Sequence, residues 1–230
     1  MGVKVLATME VRELGKLPGG PRLYQDTVSA GADYTFLINR VKPHTDFHGA
    51  LESGLTKMAV IGLGKRFGAS EMHEYGAAGF QKYLLPAARL YETHSNIIGG
   101  LAAVENAYDE TVLLQALRAA EIGGPKEMQL LELARQKMGN LSFADIDVLV
   151  VRELGKNISG TGMDTNIIGR IMIPREKELP CAANIAAIAV LNLTQETHGN
   201  ATGLGLANVT TRRVLEQIDW HATYTNALTS

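Results

Sequence analysis

The densest concentration of reactive side chains is Asn39-Arg40-Val41-Lys42-Pro43-His44-Thr45-Asp46-Phe47-His48, closely followed by Glu52-Ser53-Gly54-Leu55-Thr56-Lys57. Two histidines, an aspartate, a glutamate and three cations at one place supply proton donors, proton acceptors and anion-binding groups, a mixture that a core segment would not carry. Pro43 stiffens the backbone just before His44, which suits a general base or metal ligand that must be aimed. The competing reading is a solvated loop in which Asp46 or Ser53 merely caps a turn.

A second pattern repeats within the chain. After a strand ending at Val151 comes Asn157-Ile158-Ser159-Gly160-Thr161-Gly162, with Arg170 beyond it. After a strand ending at Leu193 comes Asn200-Ala201-Thr202-Gly203-Leu204-Gly205, with Arg213 at the same spacing. Loops at the carboxyl ends of parallel strands are where open α/β sheets bind ligands, and glycine lets backbone N–H groups turn toward an anion. Asn157, Ser159, Gly160, Gly162, Asn200, Thr202 and Gly203 are thus candidates to bind a cofactor from two loops facing one cleft. The alternative is a pair of tight strand-to-helix turns.

Other signatures fail. Gly62-Leu63-Gly64-Lys65 lacks the Ser or Thr of a P-loop, and Phe67 stands where a dinucleotide fingerprint needs glycine. No His-Glu-x-x-His and no cysteine pair is present, which argues against a structural zinc site. Cys181, beside Pro180, lacks the flanks of a cysteine nucleophile, and no Gly-x-Ser-x-Gly elbow exists. Of the remaining histidines, His198 abuts the second glycine loop, while His221 reads as a packing or surface residue.

These groups need a scaffold, and the apolar pattern supplies one. Strands are expected over Val3–Leu14, Tyr34–Ile38, Ile97–Glu105, Ile146–Val151 and Ile185–Leu193. Helices are expected over Leu51–Leu63, over Phe80–Tyr91 with a break near Pro86, over Lys126–Met138, and over Val209–Ile218 with Thr210 or Asn208 as N-cap. The strands at 146–151 and 185–193 do not alternate, which predicts burial on both faces of a parallel sheet. The class is α/β, with mostly parallel sheets flanked by helices. Two α/β lobes, residues 1–115 and 116–230 with a soft boundary between 110 and 125, should enclose a cleft.

Composition narrows the function. The 230 residues carry 22 Lys+Arg against 24 Asp+Glu, a formal charge of −2, and 46% are hydrophobic. That balance leaves no basic footprint for nucleic acid and enough apolar surface for a real core. The longest apolar runs fall short of the roughly 20 residues of a membrane span. A lone cysteine and an N-terminus without the order of a signal peptide place the chain in the cytoplasm.

The segment Asn39-Arg40-Val41-Lys42-Pro43-His44-Thr45-Asp46-Phe47-His48-Gly49-Ala50-Leu51-Glu52-Ser53-Gly54-Leu55-Thr56-Lys57-Met58 resembles a little-characterised subgroup of lactate racemase domain-containing proteins, relatives of the nickel-dependent lactate racemase. The stretches Val104–Glu110, Gly155–Asp164 and Thr197–Asn208 look like the same subgroup, so the resemblance spans most of the chain. It implies racemisation or epimerisation of a small 2-hydroxy acid through proton and hydride transfer with a nickel-pincer nucleotide. It puts His44 in the role of one acid/base histidine, with His73, next to Glu74, as the second. Arg40, Lys42, Ser53 and Lys57 would bind substrate. The cofactor-anchoring lysine is Lys57, Lys65 or Lys82, with Lys65 assigned to cofactor binding. His198, and more weakly His94, is the candidate metal ligand. Family members are longer, so the chain is expected to begin inside their pattern. The alternative function is an incomplete domain that binds an anionic small molecule or nucleotide through the glycine loops. A third is an assembly protein, and unpaired apolar strand edges predict a homo-oligomer.

Overall fold

The computed structural model describes residues 2–171 and 183–229, and Cys181 and Pro180 lie outside them. The fold is mixed α/β, as the pattern predicts, and the chain divides into two compact units, Met1–Met138 and Gly139–Ser230.

In the first unit, β1 (Val11–Lys16) and β2 (Arg22–Asp26) form an antiparallel hairpin around the Pro-Gly-Gly-Pro turn. The expected strand from Val3 begins only at Val11, and Val3 and Val5 are exposed ahead of it. The Asp26 carboxylate accepts from Ser29 N and so caps the short α1 (Thr27–Ala30). A second sheet has the order β3 (Thr35–Arg40), β4 (Ile97–Glu105), β5 (Thr111–Arg118). β3 runs parallel to β4, and β5 runs antiparallel on its other side. β5 occupies the stretch read from sequence as a domain boundary.

The β3-to-β4 crossover carries α2 (Gly54–Lys57), a π-helical turn (Met58–Leu63), α3 (Lys65–His73) and α4 (Gly76–His94). The helix expected from Leu51 starts at Gly54 because residues 42–53 are held as a loop. The wide π turn brings Val60 so close to the next helix that a Cβ on Gly64 or Gly68 would overlap the Val60 carbonyl oxygen. α4 passes through Pro86 unbroken; the proline sits on the exposed side, where water can replace its missing donor.

α5 (Pro125–Lys137) belongs to the first unit, not to a lobe starting at 116. Its Leu130, Leu131 and Ala134 share one core with Leu37, Leu55, Leu84 and Val104. Burial of that apolar face decides where the chain divides.

The second unit is a parallel sheet in the order β6 (Asp145–Val151), β7 (Asn184–Val190), β8 (Val209–Thr210). Its core gathers Leu154, Ile188, Val190, Leu206 and Val214. Contrary to expectation, β6 is not buried on both faces: Val148 and Val150 are 55% and 58% exposed. Among the described residues this unit also carries the short helices α6 (Thr165–Ile168), between β6 and β7, and α7 (Arg212–Gln217) and α8 (Trp220–Thr229) after β8. The helix expected from Val209 instead begins with two sheet residues. Its cap is Thr211, whose Oγ1 accepts from Val214 N, because Thr210 is paired in β8 and Asn208 Oδ1 accepts from Ile188 N. No described helix is long and apolar enough to cross a membrane.

Candidate functional site

The loop after β3 is built around one carboxylate. Glu52 is fully buried and accepts from His44 N at 2.8 Å, Gly49 N at 2.8 Å and Arg135 Nη2 at 2.6 Å. Its Oε1 also lies 3.0 Å from His48 Nδ1. Arg135, reaching in from α5, holds the Gly49 carbonyl as well. A buried carboxylate is tolerated only when its lone pairs are filled in this way, so residues 44–52 are tied to a single point.

Three further contacts fix the ends of this loop. Ser53 Oγ accepts from Lys42 N at 2.7 Å and donates to Lys42 O at 2.6 Å. Asn39 Nδ2 donates to Gly54 O. Buried Glu127 accepts from Thr56 N, Thr56 Oγ1 and Gly123 N, which seats the start of α2 against α5. Ser53, expected to bind substrate, is therefore a pin for the loop backbone. Arg40, expected in the same role, forms a 2.8 Å ion pair with Glu105.

What this frame positions is a set of basic groups around Phe80. The Phe80 ring lies 6.4 Å from His44, 5.1 Å edge-on from His73, and 5.7 Å below Lys57 Nζ. Phe47 stacks on both rings, 4.3 Å from His44 and 5.2 Å from Phe80. His44 comes from the loop, Lys57 from the end of α2, His73 from the end of α3 and Phe80 from α4. The π turn links the lysine's helix to the histidine's.

Burial and mutual repulsion lower the proton affinity of all three groups. Burial, then the Lys57, His73, Lys42 and His48 charges, pushes His44 down to about 3. Burial is also the main cause for Lys57, pushed down to about 8 with Lys42 adding to the shift and Asp46 opposing it. His73 is lowered by burial and by Lys57, again against Asp46. At neutral pH this gives two uncharged imidazoles beside an amine that readily loses its proton. Lys42 is exposed and acts here through its field.

Lys57 is thus set apart from Lys65 and Lys82, a distinction the sequence does not make. Lys65 opens α3 with a left-handed φ of 51°. Lys82 is exposed, with Nζ 4.9 Å from the Tyr83 ring. Sequence reasoning also missed the buried structural role of the glutamates: Glu52 stands just before α2 and Glu127 in the first turn of α5, positions where a solvated glutamate is equally at home.

The glycine loops of the second unit are organised differently. They pack on each other: a Cβ on Gly203 would overlap Thr161 O, and one on Gly162 would meet Leu154 and Thr202 O. Their polar side chains are spent internally. Asn157 Oδ1 accepts from Thr194 Oγ1, and Asn200 Oδ1 accepts from Thr202 N and Thr202 Oγ1. Ser159 is buried and Asn157 and Gly160 are exposed, and of the candidate glycines only Gly160 has open space where a Cβ would stand. Arg170 clamps Leu206 O, Ile185 O and Asn208 Oδ1, while Arg213 donates to Asn192 Oδ1. The tight-turn reading of the repeat accounts for these contacts.

His198 is exposed, with φ 49° at the end of a single 3-10 turn, and His94 is exposed at the end of α4. Among the described residues, no three His, Cys, Asp or Glu side chains converge to hold a metal ion. The donors gathered around Phe80 are two imidazoles and one amine. No protein-family model matches the chain, and no curated protein matches it.

Proposed function

We propose that the protein racemises or epimerises a small 2-hydroxy acid by proton and hydride transfer, with His44, His73 and Lys57 around Phe80 as its working groups. One observation carries the reading: two imidazoles and an amine, all with lowered proton affinity, surround a single phenyl ring. Moving a proton on and off a hydroxyl oxygen needs groups that are neutral at working pH and held in place. A hydride acceptor is the part that side chains cannot provide, and a nickel-pincer nucleotide, when bound, supplies it.

Lys57 is the residue to anchor such a group. An amine pushed down to about 8 is a far better nucleophile at neutral pH than an ordinary lysine. Exposed Lys42 supplies positive charge for the substrate carboxylate. His44 accepts a hydrogen bond at Nδ1 from Asp46 N, 3.1 Å away, so its neutral ring carries the proton on Nε2. From that atom it donates to the oxygen that is hydroxyl in the substrate and carbonyl after hydride loss. His73 serves as the second proton-transfer group.

The test is metal analysis, peptide mass mapping and chiral assay of protein made in cells that synthesise the nickel cofactor. Stoichiometric nickel, a mass increment on the Lys57 peptide and interconversion of 2-hydroxy-acid enantiomers are expected. Protein without nickel that interconverts no enantiomers when supplied with cofactor would overturn the proposal.

A further inference from the structure

Two lysines of the chain end on clear partners. Lys126 Nζ lies 2.7 Å from Glu121 Oε1, and Lys156 Nζ donates to Asn226 Oδ1. Lys57 has no such partner. It is half-buried, and among the described residues its Nζ has neither an ion pair nor a hydrogen-bond acceptor, only the face of Phe80 at 5.7 Å. Asp46, the carboxylate whose charge acts on it, stays outside ion-pair distance. An ammonium placed here gives up water and receives no acceptor in return, so the site favours the uncharged amine.

The amine is also held and reachable. One residue before it, Thr56 N and Thr56 Oγ1 both donate to buried Glu127, which fixes the helix that carries Lys57. Half-burial leaves the side chain open to a small molecule. A second cation belongs to the same site: Ser53 Oγ pins Lys42 at both N and O, at 2.7 Å and 2.6 Å, beside the start of that helix. Lys42 is exposed, and its charge reaches Lys57. A nucleophilic amine on an apolar ring, with a cation nearby, matches a small molecule whose carbonyl carbon adjoins a carboxylate.

We propose that Lys57 captures small 2-oxo acids as an imine on its Nζ, with Lys42 supplying the charge that recognises their carboxylate. The Nζ lone pair bonds to the carbonyl carbon, and the carbonyl π pair moves onto oxygen. Both amine hydrogens pass to that oxygen, the carbon–oxygen bond breaks, and one water leaves as the carbon–nitrogen double bond forms. Nothing is oxidised or reduced. The inference goes beyond the racemase reading and does not rest on it, since an imine needs neither nickel nor a hydride acceptor. It is an activity of protein whose Lys57 carries no cofactor.

The test is reductive trapping on the full chain, made in cells without the nickel cofactor. The protein is incubated at neutral pH with pyruvate and sodium cyanoborohydride, which converts an imine to a stable secondary amine, and its peptides are mapped by mass. Label on the Lys57 peptide should exceed that on exposed Lys82 and Lys137 by about 10-fold or more. In denaturing urea that preference should vanish. Pyruvamide, the same carbonyl without the charge, should show a weaker preference. Even labelling of the three lysines, or a preference that survives in urea, would overturn the inference. An equal preference for pyruvamide would overturn the assignment to 2-oxo acids. No turnover is read, so a protein that interconverts no enantiomers would remove the racemase reading and leave the imine standing.

Discussion

The loop after β3 and the paired glycine loops of the second unit are both rich in polar residues, yet they use them in opposite ways. In the second unit Asn157, Asn200, Thr202 and Arg170 hold the fold by bonding to one another and to backbone. In the first, that task falls to Asn39, Ser53, Glu52 and Glu127, while imidazoles and an amine pack on Phe80 with their proton affinities displaced. The difference teaches that a polar motif marks chemistry when other residues do its structural work. A motif whose members satisfy one another marks a turn.

This contrast can be broken by substitution. The largest effect is expected for His44→Asn and Lys57→Met, each lowering enantiomer interconversion by about 100-fold or more in a chiral assay. Lys57→Met should not lower stability measured by urea unfolding near neutral pH, because it removes a group whose charged form burial disfavours, whereas His44→Asn gives up the ring stack on Phe47 and should cost about 1 kcal/mol. Second-unit changes should do the reverse. Gly203→Val meets both a left-handed φ of 89° and the Thr161 carbonyl, and should cost about 2 kcal/mol or more in urea unfolding. Arg170→Met loses a clamp on four acceptors and should cost about 2 kcal/mol. Gly160→Ala, in open space, should stay within about 0.5 kcal/mol of wild type and keep full activity.

The pH dependence of stability is the prediction sharpest in sign. His44 is held at about 3 in the folded protein against an ordinary 6.5, so the unfolded chain binds more protons in between. Stability must then rise with pH from about 3 to 6.5, and His44→Asn should flatten that part of the profile. Lys57 works the same way between about 8 and 10.5. Urea midpoints measured across both windows check the two slopes.

The α/β class and most elements were legible in the sequence because apolar periodicity reports burial directly. Ile97–Glu105 and the helix after Pro125 are where the pattern puts them. β5 was not, since an edge strand joining a neighbour by backbone bonds needs no strong side-chain pattern. The division of the chain was misplaced because α5 looks the same whichever sheet it covers. At the site, His44 and Lys57 were legible as reactive types close together, whereas His73 entered only through the family resemblance. The roles of Glu52 and Glu127 were not, since a buried glutamate is written with the same letter as a solvated one. The repeat misled for a related reason: glycine permits a ligand's approach and the approach of another loop equally well.

The most direct test is to compare interconversion of 2-hydroxy-acid enantiomers by wild type, His44→Asn and Gly160→Ala proteins, all loaded with the nickel cofactor. The account predicts equal rates for wild type and Gly160→Ala and a collapse for His44→Asn. Loss of activity in Gly160→Ala with activity retained in His44→Asn would contradict it, moving the chemistry to the second unit.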